Sequence, residues 1–132
     1  MIVNGKHYTS IWRNEKNQVF IIDQRILPHE FKIVELKNLN DFCIAIKDML
    51  VRGAPLIGVT AAYGVAVSLL SGKKKHDLEI ICSSLLETRP TAVNLFWALE
   101  EMKKALLSVN DNDILDHAFK KADEIFEQDI IS

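Results

Sequence analysis

Val51-Arg52-Gly53-Ala54-Pro55-Leu56-Ile57-Gly58 opens the stretch around which the rest of the chain is arranged. An arginine sits on a Gly-Ala turn, a proline follows, and no charge appears again until Lys73. Proline suits the first helical position, where its missing N–H is not needed. The spacing therefore predicts a helix from Pro55 to about Leu70, apolar on every side. Such a helix is either the buried centre of a globular domain or a membrane span. The uncharged run Gly53–Gly72 is long enough for a bilayer. It is rich in Ala, Gly, Thr and Ser, however, and its neighbours are amphipathic helices that need a central partner. A buried core helix is the better reading. Its N-terminus presents free N–H groups and a partial positive charge, and Arg52 adds a forked, permanently charged donor beside them. A surface arginine at an ordinary helix start reads the same residues without a ligand.

Outward from this centre the chain divides in two. Before it, Tyr8–Trp12 reads as a short strand, Asn14-Glu15-Lys16-Asn17 as a turn, and Gln18–Asp23 as a second strand rich in β-branched residues. Phe31–Leu36 alternates well enough for a third. Asp23-Gln24-Arg25 closes the second strand before the turn at Pro28. Residues 1–37 thus make a small antiparallel sheet, and residues 38–132 a bundle of about five helices within one α+β domain. Asn38, with Asp41 three residues on, resembles a capping box. The helix it opens carries Phe42, Ile46, Met49 and Leu50 as its stripe and stops at Gly53.

After the centre, Ser71-Gly72-Lys73-Lys74-Lys75 reads as the polar exit of the apolar helix. Asp77 to about Glu87 carries Leu78, Ile81, Cys82 and Leu85 on one face, and His76 before it reads as a surface residue. Thr88-Arg89-Pro90 breaks the chain, because the residue before a proline is pushed out of helical geometry. Thr91 is a good N-cap for a helix from Ala92 to about Leu107. Within that helix, Val93, Phe96 and Trp97 read as core, and Asn94 as a polar group facing a site or a neighbouring helix. Asp111-Asn112-Asp113 caps a last helix with Leu115, Ala118, Phe119, Ala122, Ile125, Phe126 and Ile130 as its stripe, leaving His117 and Glu124 on the polar side. A second arginine, Arg89, therefore flanks a second helix start. Two guanidinium groups beside helix N-termini suit a dianion if the fold brings them together.

The totals restrict the function. At 132 residues there is one modest core. The composition, 48% hydrophobic and 26% charged with a net charge of −2, is that of a soluble domain with no electrostatic case for nucleic acid. Cys43 and Cys82 lie far apart inside apolar helical patterns without metal-type spacing. They read as buried free thiols in a reducing cytoplasm. Met1-Ile2-Val3-Asn4-Gly5-Lys6 lacks the apolar core of a signal peptide.

Three ordered blocks carry a resemblance along nearly the whole chain. They are Ile22-Asp23-Gln24-Arg25-Ile26-Leu27-Pro28-His29-Glu30, Arg52-Gly53-Ala54-Pro55-Leu56-Ile57-Gly58-Val59-Thr60-Ala61-Ala62-Tyr63-Gly64, and Arg89-Pro90-Thr91-Ala92-Val93-Asn94-Leu95-Phe96-Trp97-Ala98. In this order they resemble the methylthioribose-1-phosphate isomerases of methionine salvage. That family shares a superfamily with the subunits of translation initiation factor 2B and with ribose-1,5-bisphosphate isomerases. The resemblance implies a small N-terminal domain of strands and helices, packed in the full-length enzyme on a Rossmann-like α/β domain with the substrate between them. It implies that Arg52, Gly53, Ala54 and Arg89 hold the sugar phosphate, that no cofactor or metal takes part, and that the full-length protein is a homodimer. The family's catalytic cysteine and aspartate belong to the C-terminal domain and have no counterpart here; Cys43 and Cys82 sit in the wrong blocks. The expectation is a truncated chain or one product of a split gene, inactive alone. The alternatives are a non-catalytic regulatory or interaction module of the initiation-factor kind, or part of a ribose-1,5-bisphosphate isomerase. With its binding face uncovered, the domain is also expected to self-associate.

Overall fold

The computed structural model describes residues 2–3 and 6–131; Met1, Asn4 and Gly5 of the leading stretch, and Ser132, lie outside the described residues. Strands β1 (Ile2–Val3) and β2 (Lys6–His7) pair as a small antiparallel hairpin that the sequence reading did not place. The expected sheet follows. Strands β3 (Ile11–Arg13), β4 (Val19–Ile22) and β5 (Ile33–Leu36) are antiparallel in that order. The first is displaced from the expected Tyr8–Trp12, and the third is shorter than Phe31–Leu36. Register pairs Ile11 with Ile21 and Val19 with Leu36, and all four side chains are buried. The opposite face carries Trp12 and Phe20, whose rings stack with centroids 5.8 Å apart. The Asn14–Asn17 turn is closed by the Asn14 carboxamide oxygen, which accepts from the N–H groups of Lys16 and Gln18. Asn17 adopts φ 63°, a conformation asparagine tolerates.

Helices make up the rest: α1 (Leu39–Lys47), α2 (Ala54–Leu70), α3 (Leu78–Thr88), α4 (Val93–Leu106) and α5 (Ile114–Phe126), the last running on into a π-helical turn, Glu127–Ile131. Helix α2 is the axis. Every residue from Leu56 to Leu69 is buried, and α1, α3, α4 and α5 all pack against it. Two of its buried hydroxyls are satisfied within the helix: Thr60 donates to the Leu56 carbonyl and Ser68 to that of Gly64, each at 2.7 Å. Among the described residues, no helix is long and apolar enough to cross a membrane. The stripe Leu78, Ile81, Cys82 and Leu85 of α3 is buried as read, as are Ala118, Phe119, Ala122 and Ile125 of α5.

Several local expectations fail. Helix α1 stops at Lys47, not Gly53, because Met49 turns to φ 62° and the Leu50 N–H reaches back to the Ala45 carbonyl. Met49 thereby leaves the stripe on which Phe42, Ile46 and Leu50 remain buried. Asn38 does cap α1, accepting from the Asp41 N–H at 2.9 Å. The reciprocal half of the box is missing, since Asp41 accepts from the Lys37 N–H instead. Pro55 is the second residue of α2, after Ala54. The N-cap of α4 is Ala92, not Thr91, and has no side-chain cap; Asp113, at the start of α5, makes no capping bond either. Ser71 caps the C-terminus of α2, the three lysines lie beyond it, and Lys75 donates to the Val109 carbonyl.

The largest correction concerns α4. Val93, Phe96 and Trp97, expected in the core, are 77%, 51% and 40% exposed. Leu95, Ala98, Leu99, Met102 and Leu106 supply the buried face instead.

Candidate functional site

Two loops and two helix starts build one cleft. Where β4 ends, the Gln24 N–H donates to the Leu50 carbonyl at 2.9 Å, tying the sheet to the segment between α1 and α2. Asp23, beside it, is 1% exposed yet fully satisfied. Its carboxylate accepts from the Arg25 backbone N–H and from the Arg25 guanidinium through Nε and Nη2, at 3.0, 3.0 and 2.8 Å. The guanidinium hydrogen bonds hold the Asp23 carboxyl below its usual range, against the opposing effect of burial. Asp23 and Arg25 are therefore committed to bracing this corner. From there Val51 is buried, and Arg52, Gly53 and Ala54 emerge into solvent. Gly53 adopts φ 91° and ψ 134°, a conformation that side-chain-bearing residues rarely take, and it starts α2 at once.

The second wall comes from α4, and a glycine sets its approach. A Cβ on Gly58 would lie 3.0 Å from the Asn94 carbonyl oxygen. Only a hydrogen at this position lets the first turn of α4 close onto the first turns of α2. The cleft between them, about 310 Å³, is lined by Met49, Arg52, Gly53, Ala54, Ile57, Arg89, Ala92, Val93 and Asn94. All four residues read from the sequence as phosphate-holding, Arg52, Gly53, Ala54 and Arg89, thus share one cavity. Asn94 joins them.

The charge balance of this cleft sets it apart. The protein has four arginines. Arg13 and Arg25 are each gripped by a carboxylate, Asp123 and Asp23, at 2.6 and 2.8 Å. Among the described residues, Arg52 and Arg89 make neither an ion pair nor a side-chain hydrogen bond, and no carboxylate lines their cleft. Two uncompensated guanidinium groups stand beside two helix N-termini, whose first N–H groups have no intrahelical acceptor. This arrangement favours a multiply charged anion. The cleft holds no carboxyl, imidazole, thiol, phenol or amine, so its lining residues can bind charge but cannot transfer a proton.

A larger depression, about 470 Å³, lies where the β3–β4 hairpin meets α2 and α5 and is lined by Trp12, Arg13, Tyr63, Asp123 and Phe126 among others. It differs chemically, because its cation is already neutralised. Asp123 accepts hydrogen bonds from Arg13 Nε and Nη2, and a third, at 2.6 Å, from the hydroxyl of buried Tyr63. Burial, reinforced by this carboxylate, pushes the Tyr63 phenol far upward, so it stays protonated. The Arg13 guanidinium also lies 5.4 Å from the Phe119 ring centroid. This network pins the β3–β4 hairpin to α2 and α5. The sequence reading missed it, since its members are 50 and 60 residues apart with no shared pattern. The cysteines stand apart from both clefts. Cys43 is half-buried, not fully buried as expected, and its thiol contacts the Ser84 carbonyl. Cys82 is buried, and desolvation pushes its thiol up to about 11.

Comparison with known proteins places this architecture. The chain is 50% identical over 131 residues to the methylthioribose-1-phosphate isomerase of Sinorhizobium medicae, matching 98% of this chain and 36% of that protein. Two crystal structures share the fold. The delta subunit of translation initiation factor eIF-2B from A. fulgidus superposes with a TM-score of 0.87 at 30% identity, over 94% of this chain and 38% of that one. The 5-methylthioribose 1-phosphate isomerase of Pyrococcus horikoshii gives 0.84 at 34% identity, over 93% and 37%. The chain thus spans a little over a third of the length of these relatives. Residues 50–132, which contain both arginine-bearing helix starts, match the initiation factor 2 subunit family, and the chain belongs to that family.

Proposed function

We propose that this chain is the phosphate-holding part of an aldose–ketose isomerase that converts 5-methylthioribose 1-phosphate to 5-methylthioribulose 1-phosphate. The observation that carries the reading is the pairing of Arg52 and Arg89, both without a carboxylate partner, in a cleft between two helix N-termini. The 50% identity to a named isomerase supports the substrate. In this substrate the phosphate sits on the anomeric oxygen, so ring opening of the ordinary sugar kind is blocked. The reaction moves hydrogen between C1 and C2, oxidising one carbon as it reduces the other. That step needs an acid/base group in a guarded pocket. The cleft supplies none, so the chemistry belongs to the remainder of a full-length enzyme, on an α/β domain that closes over this face. By the same resemblance the full-length enzyme is a homodimer, and the two free thiols fit a reducing cytoplasm.

Titration calorimetry of the 132-residue chain with inorganic phosphate and with 5-methylthioribose 1-phosphate tests the reading. Arg52→Ala and Arg89→Ala are each expected to weaken binding about tenfold or more, as loss of a charge-assisted, bidentate contact does. Their thermal stability should be unchanged, because neither side chain holds the fold together. No turnover of the ester is expected from the chain alone. Unaltered affinity in both variants would sink the phosphate assignment, and substantial turnover would sink the division of labour. The eIF-2B match carries a second reading, a regulatory or interaction module, because the superposition is as good as that with the isomerase. Its mark would be a chain that binds neither phosphate nor the ester.

A further inference from the structure

Met49 is out of place by every local rule. It follows the C-terminus of α1 at φ 62°. Helices commonly end with a residue in this left-handed conformation, which glycine adopts without steric cost and which brings a β-carbon too close to the neighbouring backbone. Asn17, also at positive φ, is a side chain that tolerates the geometry and sits in a hairpin turn. Met49 is neither small nor polar, and packing gives it no compensation. It is 42% exposed, whereas Phe42, Ile46 and Leu50 of the same segment are buried. The turn is fixed by backbone bonds that need no side chain at position 49: the Asp48 N–H to the Ile44 carbonyl, and the Leu50 and Val51 N–H groups to that of Ala45. What the conformation does achieve is to place a long, polarisable thioether in the wall of the cleft that holds Arg52 and Arg89. Ile57, Ala92 and Val93 line the same cleft, so its lining combines two cations with apolar side chains. A strained residue in a cleft is expected where function opposes local preference.

We propose that Met49 is a specificity-determining residue. Its thioether side chain receives the apolar substituent of a sugar 1-phosphate whose phosphate lies on Arg52 and Arg89, and so discriminates against sugars that carry a hydroxyl or a second phosphate in its place. The proposal rests on the phosphate assignment above and deepens it by naming what distinguishes one ester from another. Thioether sulfur packs well on apolar and sulfur-bearing groups, and its flexibility lets it close over a small alkylthio end. A second phosphate beside Met49, Ile57 and Val93 would lose its water without gaining a donor there.

The test separates strain from selection. Met49→Gly removes the side chain at a position whose backbone favours glycine, so the variant is expected to melt at the same temperature as the parent or higher. Calorimetry with four probes then reads selectivity: inorganic phosphate, ribose 1-phosphate, ribose 1,5-bisphosphate and 5-methylthioribose 1-phosphate. The parent is expected to prefer the methylthio ester over ribose 1-phosphate about tenfold, the scale of one small apolar contact. Met49→Gly should abolish that preference while binding inorganic phosphate within about twofold of the parent. Met49→Leu should keep most of the preference. A parent without the preference overturns the proposal, and so does a glycine variant that retains it. A glycine variant that melts lower shows that the side chain serves the fold, which also overturns it. Inorganic phosphate binding lost in Arg52→Ala but kept in Met49→Gly leaves the phosphate reading standing by itself, so the two assignments fail separately.

Discussion

Asp23 shows what one buried charge does here. It is closed off from solvent at the end of β4, and three hydrogen bonds from Arg25 hold it ionised. Its carboxyl titrates below the usual range in the folded protein. The linkage follows in sign: a lowered folded pKa means stabilisation that is complete above the unfolded value, near about 4, and lost as pH falls through the folded value. Asp23→Asn should therefore be less stable than the parent at pH 7. The gap should narrow below about pH 4, where the unfolded parent takes up the proton that the folded carboxylate still resists. Urea denaturation at pH 7 and pH 3 measures both differences. A gap that is unchanged at low pH would mean that the ion pair contributes nothing. The same corner supports the cleft, since Gln24 next door donates to the Leu50 carbonyl, two residues before Arg52.

At the scale of elements, the decisive contact is between α2 and α4. Glycine is a poor helix former, yet Gly58 sits in the second turn of α2, facing the Asn94 carbonyl. A methyl group there would meet a backbone oxygen at 3.0 Å, and a backbone carbonyl cannot swing aside. Gly58→Ala is expected to force the two helices apart at their N-termini, at a cost of about 1–3 kcal/mol. It should also weaken phosphate binding, because Arg52 rides on one helix start and Arg89 on the other. Thermal melts and phosphate calorimetry on the same variant check both. A gain in stability, as helix propensity alone would give, would refute the close-approach account. The axis itself was legible, because an apolar run with no polar face, set among amphipathic helices that need a central partner, belongs at the centre of their bundle. The ends of its neighbours were harder to place. Helix α1 ends at a left-handed methionine instead of the glycine a few residues on, and α4 starts from an alanine despite the threonine before it. Local propensity had pointed to the residue types that usually take those places, and backbone hydrogen bonding overrode it.

For the molecule as a whole, the outer face of α4 matters most. Val93, Phe96 and Trp97, spaced three and four residues apart on one helix face, lie in the open next to the cleft. The chain is expected to self-associate through this face at high concentration. Sedimentation velocity over a concentration series should show it, and Phe96→Glu combined with Trp97→Glu should abolish it without lowering the melting temperature. A parent that stays monomeric throughout the series would refute the expectation. These aromatics are also where the sequence misled most. Phe96 and Trp97 follow Leu95 and precede Ala98 in one apolar run, and a run that spans both faces of a helix does not say which face is inside.

The sequence alone was enough for the α+β class, the order of sheet and helices, the buried axis and the two arginine-bearing helix starts. Each is a local property: periodicity, β-branching, the position of a proline, the spacing of charge. Convergence was beyond it. That Arg52 and Arg89, 37 residues apart, share a cleft depends on how α2 and α4 cross, with Gly58 allowing their close approach, while Arg13 and Arg25 are spent on carboxylates elsewhere. The side of α4 that faces outward, and the turning of Met49 into the cleft, likewise follow from packing between elements. Which charges are paired is a matter of distance through space, and distance along the chain carries almost none of that information.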